Sequence, residues 1–407
     1  GGHDMPAPLC GAVASLLLPL AVAEVTAGLP PPVPPAPLRT IDAKPPAATA
    51  HRASGVAPFA SLDEGVGVAS ANGDDALGVH LLVQARYEHV ERDRSREDGF
   101  RVMLARPALR GVAFRRWLSY FVQWELAGTS PGLLDAEITV QPVPELGLKV
   151  GQFLTPFSRE FLVPPGALLF PDFSPSNVLF RDNRDTGAML LGRAFDGLLE
   201  YYAAAVNGNG VDRGGNDNAE LEWVSRVAVN VLGKPPYTET PQLAARGPGL
   251  ALGTNASYGA TEETATSLDP ATGATTVRRL GSAPTAKLGA DAIFHAGPFS
   301  LQVEGYSRTV QAAGGGARTV GRGGFAQAGL FVIGRELEIA VRGDVIDADA
   351  ARAGPLDERI DGGLAYYARG DHLKLQLRYA WADAPSGAAA APKGTSNAVT
   401  LQAQLWF

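Results

Sequence analysis

The chain has 407 residues, of which 45% are apolar and 19% are charged, and its formal net charge is −7. A negative net charge gives no general attraction to nucleic acid or to anionic lipid. The 48 glycines and 31 prolines form about a fifth of the chain, which argues against a helical protein and favours many short elements joined by turns. The single cysteine excludes a disulfide framework and a thiolate zinc site, so no metal site and no cofactor is predicted.

The first residues have the pattern of an export signal. The apolar run at 12–22 has the length of a signal-peptide core and is too short to span a bilayer. A disordered apolar tail is the alternative, because no Lys or Arg precedes Met5. Pro-rich sequence follows, and it can form neither a helix nor a strand ladder. We therefore predict a signal peptide at 1–28, a disordered Pro/Ala-rich linker at 29–76 and a folded domain at 77–407.

From residue 77 onward, apolar and polar residues alternate. Within 79–88, for example, Val79, Leu81 and Val83 fall on one face, and His80 and Gln84 fall on the other. Successive side chains of a strand point to opposite faces, so each such segment is predicted to be a strand with one apolar and one polar side. We count about sixteen of these segments, each roughly nine to fourteen residues long.

The length of these strands indicates a membrane barrel. Soluble strands usually have about five or six residues, whereas a strand tilted across a bilayer needs about nine to eleven. Sixteen such strands are too broad for one sandwich core, but a closed barrel of that size leaves an aqueous lumen. The sequence therefore predicts an all-β fold, a transmembrane antiparallel β-barrel of about sixteen strands, with a soluble all-β protein as the alternative. Tight turns alternate with long connections, which are predicted at 155–183, 233–248, 260–283 and 385–395.

The chain ends in an alternating strand, in which Val399, Leu401 and Leu405 share one face and the last residue is Phe407. A terminal aromatic residue on such a strand resembles the signal that the barrel-assembly machinery of Gram-negative bacteria reads. We therefore predict a location in the bacterial outer membrane, with outer-membrane lipid and that machinery as partners.

Four motifs, in order, suggest a family: GFRVMLARPALRG at 99–111, KVGQFLTPFSRE at 149–160, RDTGAMLLGR at 184–193 and AAAVNGNG at 203–210. Over residues 77–407 the chain resembles the phosphate-selective porin O and P family. The resemblance implies a sixteen-stranded homotrimeric porin with a long loop folded into the lumen. It also implies a pore that is lined by basic residues and passes small anions such as phosphate.

Basic residues at a narrow point of a pore select anions, and the arginine fork matches phosphate oxygens. The segment 156–185 has five prolines and several bulky apolar residues, so it is predicted to fold inward. There it would present Arg159, Arg181 and Arg184 as the pore constriction and anion-binding residues. Further pore-lining residues are predicted on the polar strand faces. For each of them the alternative is a structural ion pair with a nearby carboxylate: Arg86, Lys149, Arg226, Arg308, Arg342, Lys374 and Arg378.

The predicted function is an aqueous diffusion channel for small hydrophilic solutes. One alternative is a structural or adhesive barrel whose lumen is plugged by the long loop. Another is a barrel enzyme, but the sequence has neither a Gly-x-Ser-x-Gly elbow nor a His-Glu-x-x-His zinc motif, so no catalytic residue is predicted. A phosphate-binding loop, a dinucleotide fingerprint and a basic patch interleaved with aromatics are also missing, and no nucleic-acid partner is expected.

Overall fold

The computed structural model describes residues 55–92, 95–129, 131–241, 247–268, 275–350, 356–385 and 393–407. The predicted signal peptide and most of the predicted linker lie outside these ranges. Among the described residues, no helix is both long and apolar enough to cross a membrane.

Sixteen strands form a closed antiparallel barrel, as the sequence predicts. Each strand pairs with the next along the chain, and the last strand closes the barrel on the first, with Leu401 opposite Tyr87. The strands are β3 Ala76–Arg92, β4 Ser95–Ala113, β5 Arg115–Glu125, β6 Gly132–Val143, β7 Leu146–Leu154, β8 Arg184–Ala194, β9 Leu199–Val206, β10 Glu222–Leu232, β11 Gly249–Leu268, β12 Thr275–Ala296, β13 Phe299–Gln311, β14 Arg318–Ile333, β15 Leu337–Asp347, β16 Asp357–Tyr367, β17 Leu373–Pro385 and β18 Lys393–Trp406.

The two faces of the strands have the predicted orientation. In β17, Leu375 and Leu377 are about half exposed on the outer surface, whereas Lys374 and Gln376 are buried inside the barrel. The same alternation is clear in β10, β13 and β16, so the apolar sides form an outer band suited to lipid and the polar sides surround the lumen.

The connections divide the barrel into two rims. We call the end with the tight turns at Gly297 and Gly334 the turn rim, and the opposite end the loop rim. Two expectations about the loops are wrong. Of the predicted loop 233–248, the described residues 233–241 and 247–248 lie on the turn rim, because β10 ends and β11 begins at the end where β12 and β13 meet. Most of 260–283 is strand rather than loop, because the ladder between β11 and β12 continues as far as Leu268 and Thr275.

A hairpin outside the barrel corrects the predicted start of the fold. Strands β1 Val56–Ser61 and β2 Gly65–Ser70 lie inside the segment expected to be a disordered linker. Strand β2 pairs with the first residues of β3, with Val66 opposite Val79. It lies in line with β18, which pairs with β3 only from Leu82 onward. The reason is that β18 does not reach the first residues of β3. The backbone groups along that edge of β3 would otherwise be unpaired.

The long connection between β7 and β8, residues 155–183, folds inward and is named the lumen loop. It contains helix α1 Arg159–Leu162, the 3-10 turn Pro165–Ala167 and helix α2 Pro175–Phe180; Ser158 and Ser174 cap α1 and α2. Its aromatic side chains are fully buried against the barrel wall, and Phe180 stacks on Tyr306 of β13 with ring centroids 6.0 Å apart. Burial of these rings is the main apolar contribution that holds the loop inside the barrel.

Candidate functional site

Side chains of β17 and β18 hold one side of the lumen loop. Gln404 Nε2 donates to the carbonyl oxygen of Gly166 at 2.9 Å, Lys374 Nζ donates to that of Leu168 at 3.0 Å, and Gln376 Nε2 donates to that of Leu169 at 3.0 Å. The loop is rich in proline, which has a carbonyl acceptor but no N–H donor. Amide and ammonium donors of the wall therefore match the acceptors that this loop offers, and they fix its position.

Asp172 of the lumen loop is clamped between two arginines of the wall. Its Oδ1 accepts from Arg86 Nη1 at 2.9 Å, and its Oδ2 accepts from Arg378 Nη1 at 2.6 Å. Burial opposes the charge of Asp172, but the two guanidinium groups outweigh it and hold the pKa of this carboxyl well below its usual range. Two of the predicted pore-lining arginines are therefore bound to the loop.

The wall formed by β13 and β15 holds the other side of the loop. Ser158 Oγ donates to Glu304 Oε2 at 2.8 Å, Ser176 Oγ donates to Asp344 Oδ2 at 2.8 Å, and Asn177 Nδ2 donates to the Tyr306 hydroxyl at 3.0 Å. Both ends of the loop are thus tied to inward-facing carboxylates. The loop crosses the lumen and is fixed on two walls.

A second segment enters the lumen from the turn rim. Residues 233–241, named the turn-rim segment, have a buried stretch that includes Tyr237 and Glu239. Arg159 Nη2 donates to the carbonyl oxygen of Pro236 at 2.9 Å, and its guanidinium lies 4.5 Å from the centre of the Tyr237 ring. Burial raises the pKa of Glu239 to about 7. The two segments meet inside the barrel, a contact that the sequence analysis did not anticipate.

The three predicted constriction residues have different environments. Arg159 is buried between the lumen loop and the turn-rim segment. Arg184 is the first residue of β8 and is also buried, and its Nε donates to Asp135 Oδ1 at 2.8 Å. Arg181 is partly exposed; its guanidinium carbon lies 4.1 Å from the Phe161 ring centre and 4.8 Å from that of Phe173.

Most of the predicted pore-lining cations form ion pairs, as the structural alternative expects. Arg226 makes a bidentate pair with Asp291 at 2.5 and 2.9 Å. The other pairs are Lys149 with Glu137, Arg342 with Asp361, Lys374 with Asp371, and Arg86 and Arg378 with Asp172.

Arg308 is the exception among the pore-lining predictions. Its Nη1 donates to the carbonyl oxygen of Leu179 at 3.2 Å, and no carboxylate among the described residues lies within ion-pair distance. Arg308 and Arg181 both contact α2: Arg308 contacts Phe180, and Arg181 Nη1 donates to Asn177 Oδ1 at 3.0 Å. The fold therefore brings together one predicted constriction residue and one predicted lining residue.

A cavity of about 250 Å³ opens on the loop-rim side of the lumen loop, with Arg181 in its lining. It also contains Lys287, which the sequence analysis missed and which donates to Asp182. The sequence does contain a signal for the position of Lys287. In β12 it shares a face with Thr285 and Gly289, two residues away on either side.

The Asn-Gly-Asn-Gly motif shapes one wall of this cavity. Gly208 and Gly210 have φ values of 83° and 85°, which glycine adopts without strain. The turn directs the amide of Gly210 to Asp185 Oδ2, 2.9 Å away, so the motif fixes this carboxylate beside the cavity.

The sequence model of the phosphate-selective porin O and P family matches residues 77–407. No curated protein matches the chain. Among solved structures, OmpT of Vibrio cholerae in its trimer form is similar with a TM-score of 0.57 and 12% identity, covering 81% of this chain and 99% of that chain. The anion-selective porin from Comamonas acidovorans gives a TM-score of 0.55 and 13% identity, covering 82% of this chain and 100% of that chain. The outer-membrane channel DcaP of Acinetobacter baumannii gives a TM-score of 0.51 and 11% identity, covering 83% of this chain and 99% of that chain.

The family match begins where the alternation of the barrel begins and continues to the last residue. The solved structures share the fold of a membrane-spanning porin barrel, and the described strands close into such a barrel. The chain therefore belongs to the phosphate-selective porin O and P family and is a porin of the bacterial outer membrane.

Proposed function

We propose that small anions, phosphate among them, cross the lumen past Arg181 and Arg308. One observation carries this proposal. Of the ten cations that the sequence analysis selected, these two are partly exposed and have no carboxylate within ion-pair distance among the described residues. A charge that is already neutralised by a partner adds little to the field of a pore, whereas an uncompensated guanidinium in a low-dielectric lumen attracts anions.

The environment of Arg181 favours contact with an anion through its N–H edge. The rings of Phe161 and Phe173 lie against the guanidinium, so the planar group is held by apolar contacts rather than by a carboxylate. A guanidinium edge can donate two parallel hydrogen bonds to a phosphate oxygen pair. Lys287 lines the same cavity, but it is paired with Asp182 and therefore adds little to the field on the route.

The other two predicted constriction residues have a positioning role in this proposal. Arg184 is paired with Asp135, and Arg159 holds the turn-rim segment, so both fix the elements around the passage. Similarity to the trimer form of Vibrio cholerae OmpT and to an anion-selective porin supports a homotrimer and anion passage. Neither an enzymatic activity nor a catalytic residue is part of the proposed function.

The test is the reversal potential of the purified protein in planar bilayers across a potassium chloride gradient, repeated with potassium phosphate. We expect Arg181→Glu and Arg308→Glu each to lower the anion-to-cation permeability ratio several-fold. Arg213→Glu is the matched control, because Arg213 is exposed in the connection between β9 and β10. Equal ratios for all three variants would contradict the proposed route.

The plugged, structural barrel is the second candidate, and the two inward segments favour it. The lumen loop and the turn-rim segment contact each other inside the barrel, as the 2.9 Å bond from Arg159 to Pro236 shows. A permanently closed lumen would give folded protein that inserts into bilayers without current. Discrete conductance steps would exclude this candidate.

A further inference from the structure

Glu222, the first residue of β10, is an acid that the proposed anion route does not use. It lines the same cavity as Arg181, and its side chain is 16% exposed. Two glycines leave the room that this side chain needs, since a methyl group at Gly259 would lie 2.8 Å from Glu222 Cβ and one at Gly208 would lie 3.4 Å from it. A larger residue at Gly259 would therefore displace Glu222 from its place in the cavity wall.

Two carboxyls of this cavity face a single ammonium group. Lys287 Nζ donates to Asp182 Oδ1 and lies 4.0 Å from Glu222 Oε1. The side chain of Asp182 is 3% exposed, and its Oδ2 has no hydrogen-bond donor among the described residues. The carboxyl of Glu222 lies within hydrogen-bonding reach of Asp182. One ammonium group cannot neutralise both carboxylates, so the arrangement lacks one positive charge.

A proton shared by the two carboxyls accounts for this arrangement. Ionised carboxylates only accept hydrogen bonds, whereas a protonated carboxyl has an O–H donor. Two carboxylates in one buried site also repel each other, which favours a proton held between them. The third acid of the cavity, Asp185, is not part of this pair, because its Oδ2 accepts from the amide of Gly210 at 2.9 Å. With the shared proton, Glu222 donates to Asp182, and one carboxylate is left to match the charge of Lys287.

The charges around Glu222 come from four other elements of the barrel. The lumen loop, β8 and β12 supply the other charged side chains that line the cavity: Arg181, Asp182, Arg184, Asp185 and Lys287. On β13, Arg308 lies opposite Lys287 in the ladder. Arg184 is paired with Asp135, and Lys287 is paired with Asp182. The charge that an anion meets beside Arg181 therefore depends on whether Glu222 is ionised.

We propose that Glu222 determines the ion selectivity of the cavity through the proton that it shares with Asp182. While the proton is held, Glu222 is neutral, and the charge of Arg181 attracts anions. Loss of the proton at alkaline pH ionises Glu222, its charge offsets that of Arg181, and the preference for anions falls. The effect on selectivity rests on the proposed anion route, whereas the shared proton itself does not depend on conduction.

Reversal potentials of the full chain in a potassium chloride gradient at pH 6 and pH 9 test the role in selectivity. We expect the anion-to-cation permeability ratio of the wild type to be several-fold lower at pH 9. The fall should be several-fold smaller in Glu222→Gln, because glutamine donates a hydrogen bond but does not titrate. Glu220→Gln removes an exposed acid two residues away and should keep the fall of the wild type. A wild-type ratio that is equal at both pH values, or an equal fall in Glu222→Gln, would overturn this role.

Two further variants separate the shared proton from other titrations. The pKa of Glu239 is about 7, so the comparison is repeated in a Glu239→Gln background, where the effect of Glu222→Gln should be the same. In Asp182→Asn, Lys287 is left with one carboxylate, that of Glu222, which then stays ionised at both pH values. The ratio of Asp182→Asn should therefore stay at the pH 6 value of the wild type. A fall as large as that of the wild type would show that Glu222 titrates alone and would overturn the shared proton.

Urea unfolding of the full chain in detergent gives a readout that needs no current. Because the folded chain holds the proton of Glu222 and the unfolded chain releases it, the wild type should lose unfolding free energy relative to Glu222→Gln as pH rises from 6 to 9. A difference that is constant with pH would overturn the proposal. If the difference changes as expected but the channel prefers cations at both pH values, the shared proton is supported and the proposed anion route is wrong.

Discussion

The backbone amide of Leu169 donates to Glu239 Oε2 at 2.7 Å, and this bond joins two segments that enter the barrel from opposite rims. Leu169 belongs to the lumen loop, and Glu239 belongs to the turn-rim segment. The amide of Glu239 also donates to the carbonyl oxygen of Ala167 at 3.3 Å. The width of any passage through this barrel therefore depends on how firmly the two segments are joined.

Protonation of Glu239 should stabilise the folded barrel, because it removes a buried charge. Burial raises its pKa to about 7 from an ordinary value of 4.5, so its contribution to stability is full below pH 4.5 and is lost as pH rises through 7. The shift corresponds to at most about 3 kcal/mol. Relative to Glu239→Gln, which does not titrate, the wild-type chain should lose unfolding free energy between pH 4.5 and 8.

Urea unfolding of both chains in detergent from pH 4 to 8.5 measures this difference. Glu336→Gln is the control, because it removes an exposed carboxyl, and its difference from wild type should not vary with pH in this way. A constant difference between wild type and Glu239→Gln would show that the pKa of this carboxyl is the same in the folded and unfolded chains.

Removing the charge of Asp172 should increase anion preference. Its carboxylate neutralises Arg86 and Arg378, and these two guanidinium groups hold its pKa low, so it is charged at neutral pH. In Asp172→Asn both arginines lose their charged partner, and the anion-to-cation permeability ratio should rise several-fold in reversal-potential measurements. Asp217→Asn, on the exposed connection between β9 and β10, should leave the ratio unchanged. A ratio that falls in Asp172→Asn would contradict this account.

The loss of unfolding free energy caused by substituting Arg226 should depend strongly on whether Asp291, its buried partner, is still present. Breaking a buried pair by removing one partner costs about 3–5 kcal/mol, because the other charge stays buried. Arg226→Met should lower the unfolding free energy by that amount, and the double variant Arg226→Met with Asp291→Leu should recover most of it. Lys234→Met removes one partner of an exposed pair and should have almost no effect. Additive losses in the double variant would show that the pair is not coupled.

The cost of an arginine on the lipid-facing surface should depend on its depth in the bilayer. Val341 lies near the middle of β15 and faces outward, whereas Ile333 is the last residue of β14, at the turn rim. An arginine on the lipid face costs about 2–4 kcal/mol at the bilayer midplane and about 0–1 near the interface. Val341→Arg should therefore destabilise the barrel folded into lipid vesicles much more than Ile333→Arg. Equal losses would mean that this face is not in the hydrocarbon region.

The alternation of residues such as Leu375 and Gln376 was enough to predict the strands, their faces and the closed barrel, because a period of two is a local property of sequence. Pairing inside the lumen is not local. Arg226 and Asp291 are separated by 65 residues, and their contact depends on the register in which β10 and β12 pair with β11. For the same reason, the sequence predicted an inward lumen loop from its apolar residues and prolines, but not the turn-rim segment that meets it.

The hairpin β1–β2 was missed for a different reason. Its short strands contain Gly65, Gly67 and Pro58, which are poor strand formers on their own. The hairpin forms because an open edge of β3 is available beyond the end of β18. The sequence of residues 56–70 alone does not show that this edge of β3 is open for pairing.

The central claim is that the lumen conducts despite the two segments inside it, and single-channel recording tests this most directly. The purified full chain, reconstituted into planar bilayers in potassium chloride, should give discrete conductance steps with a reversal potential of the sign expected for anions. Folded protein that inserts into the bilayer but carries no current would contradict the account and establish a plugged barrel.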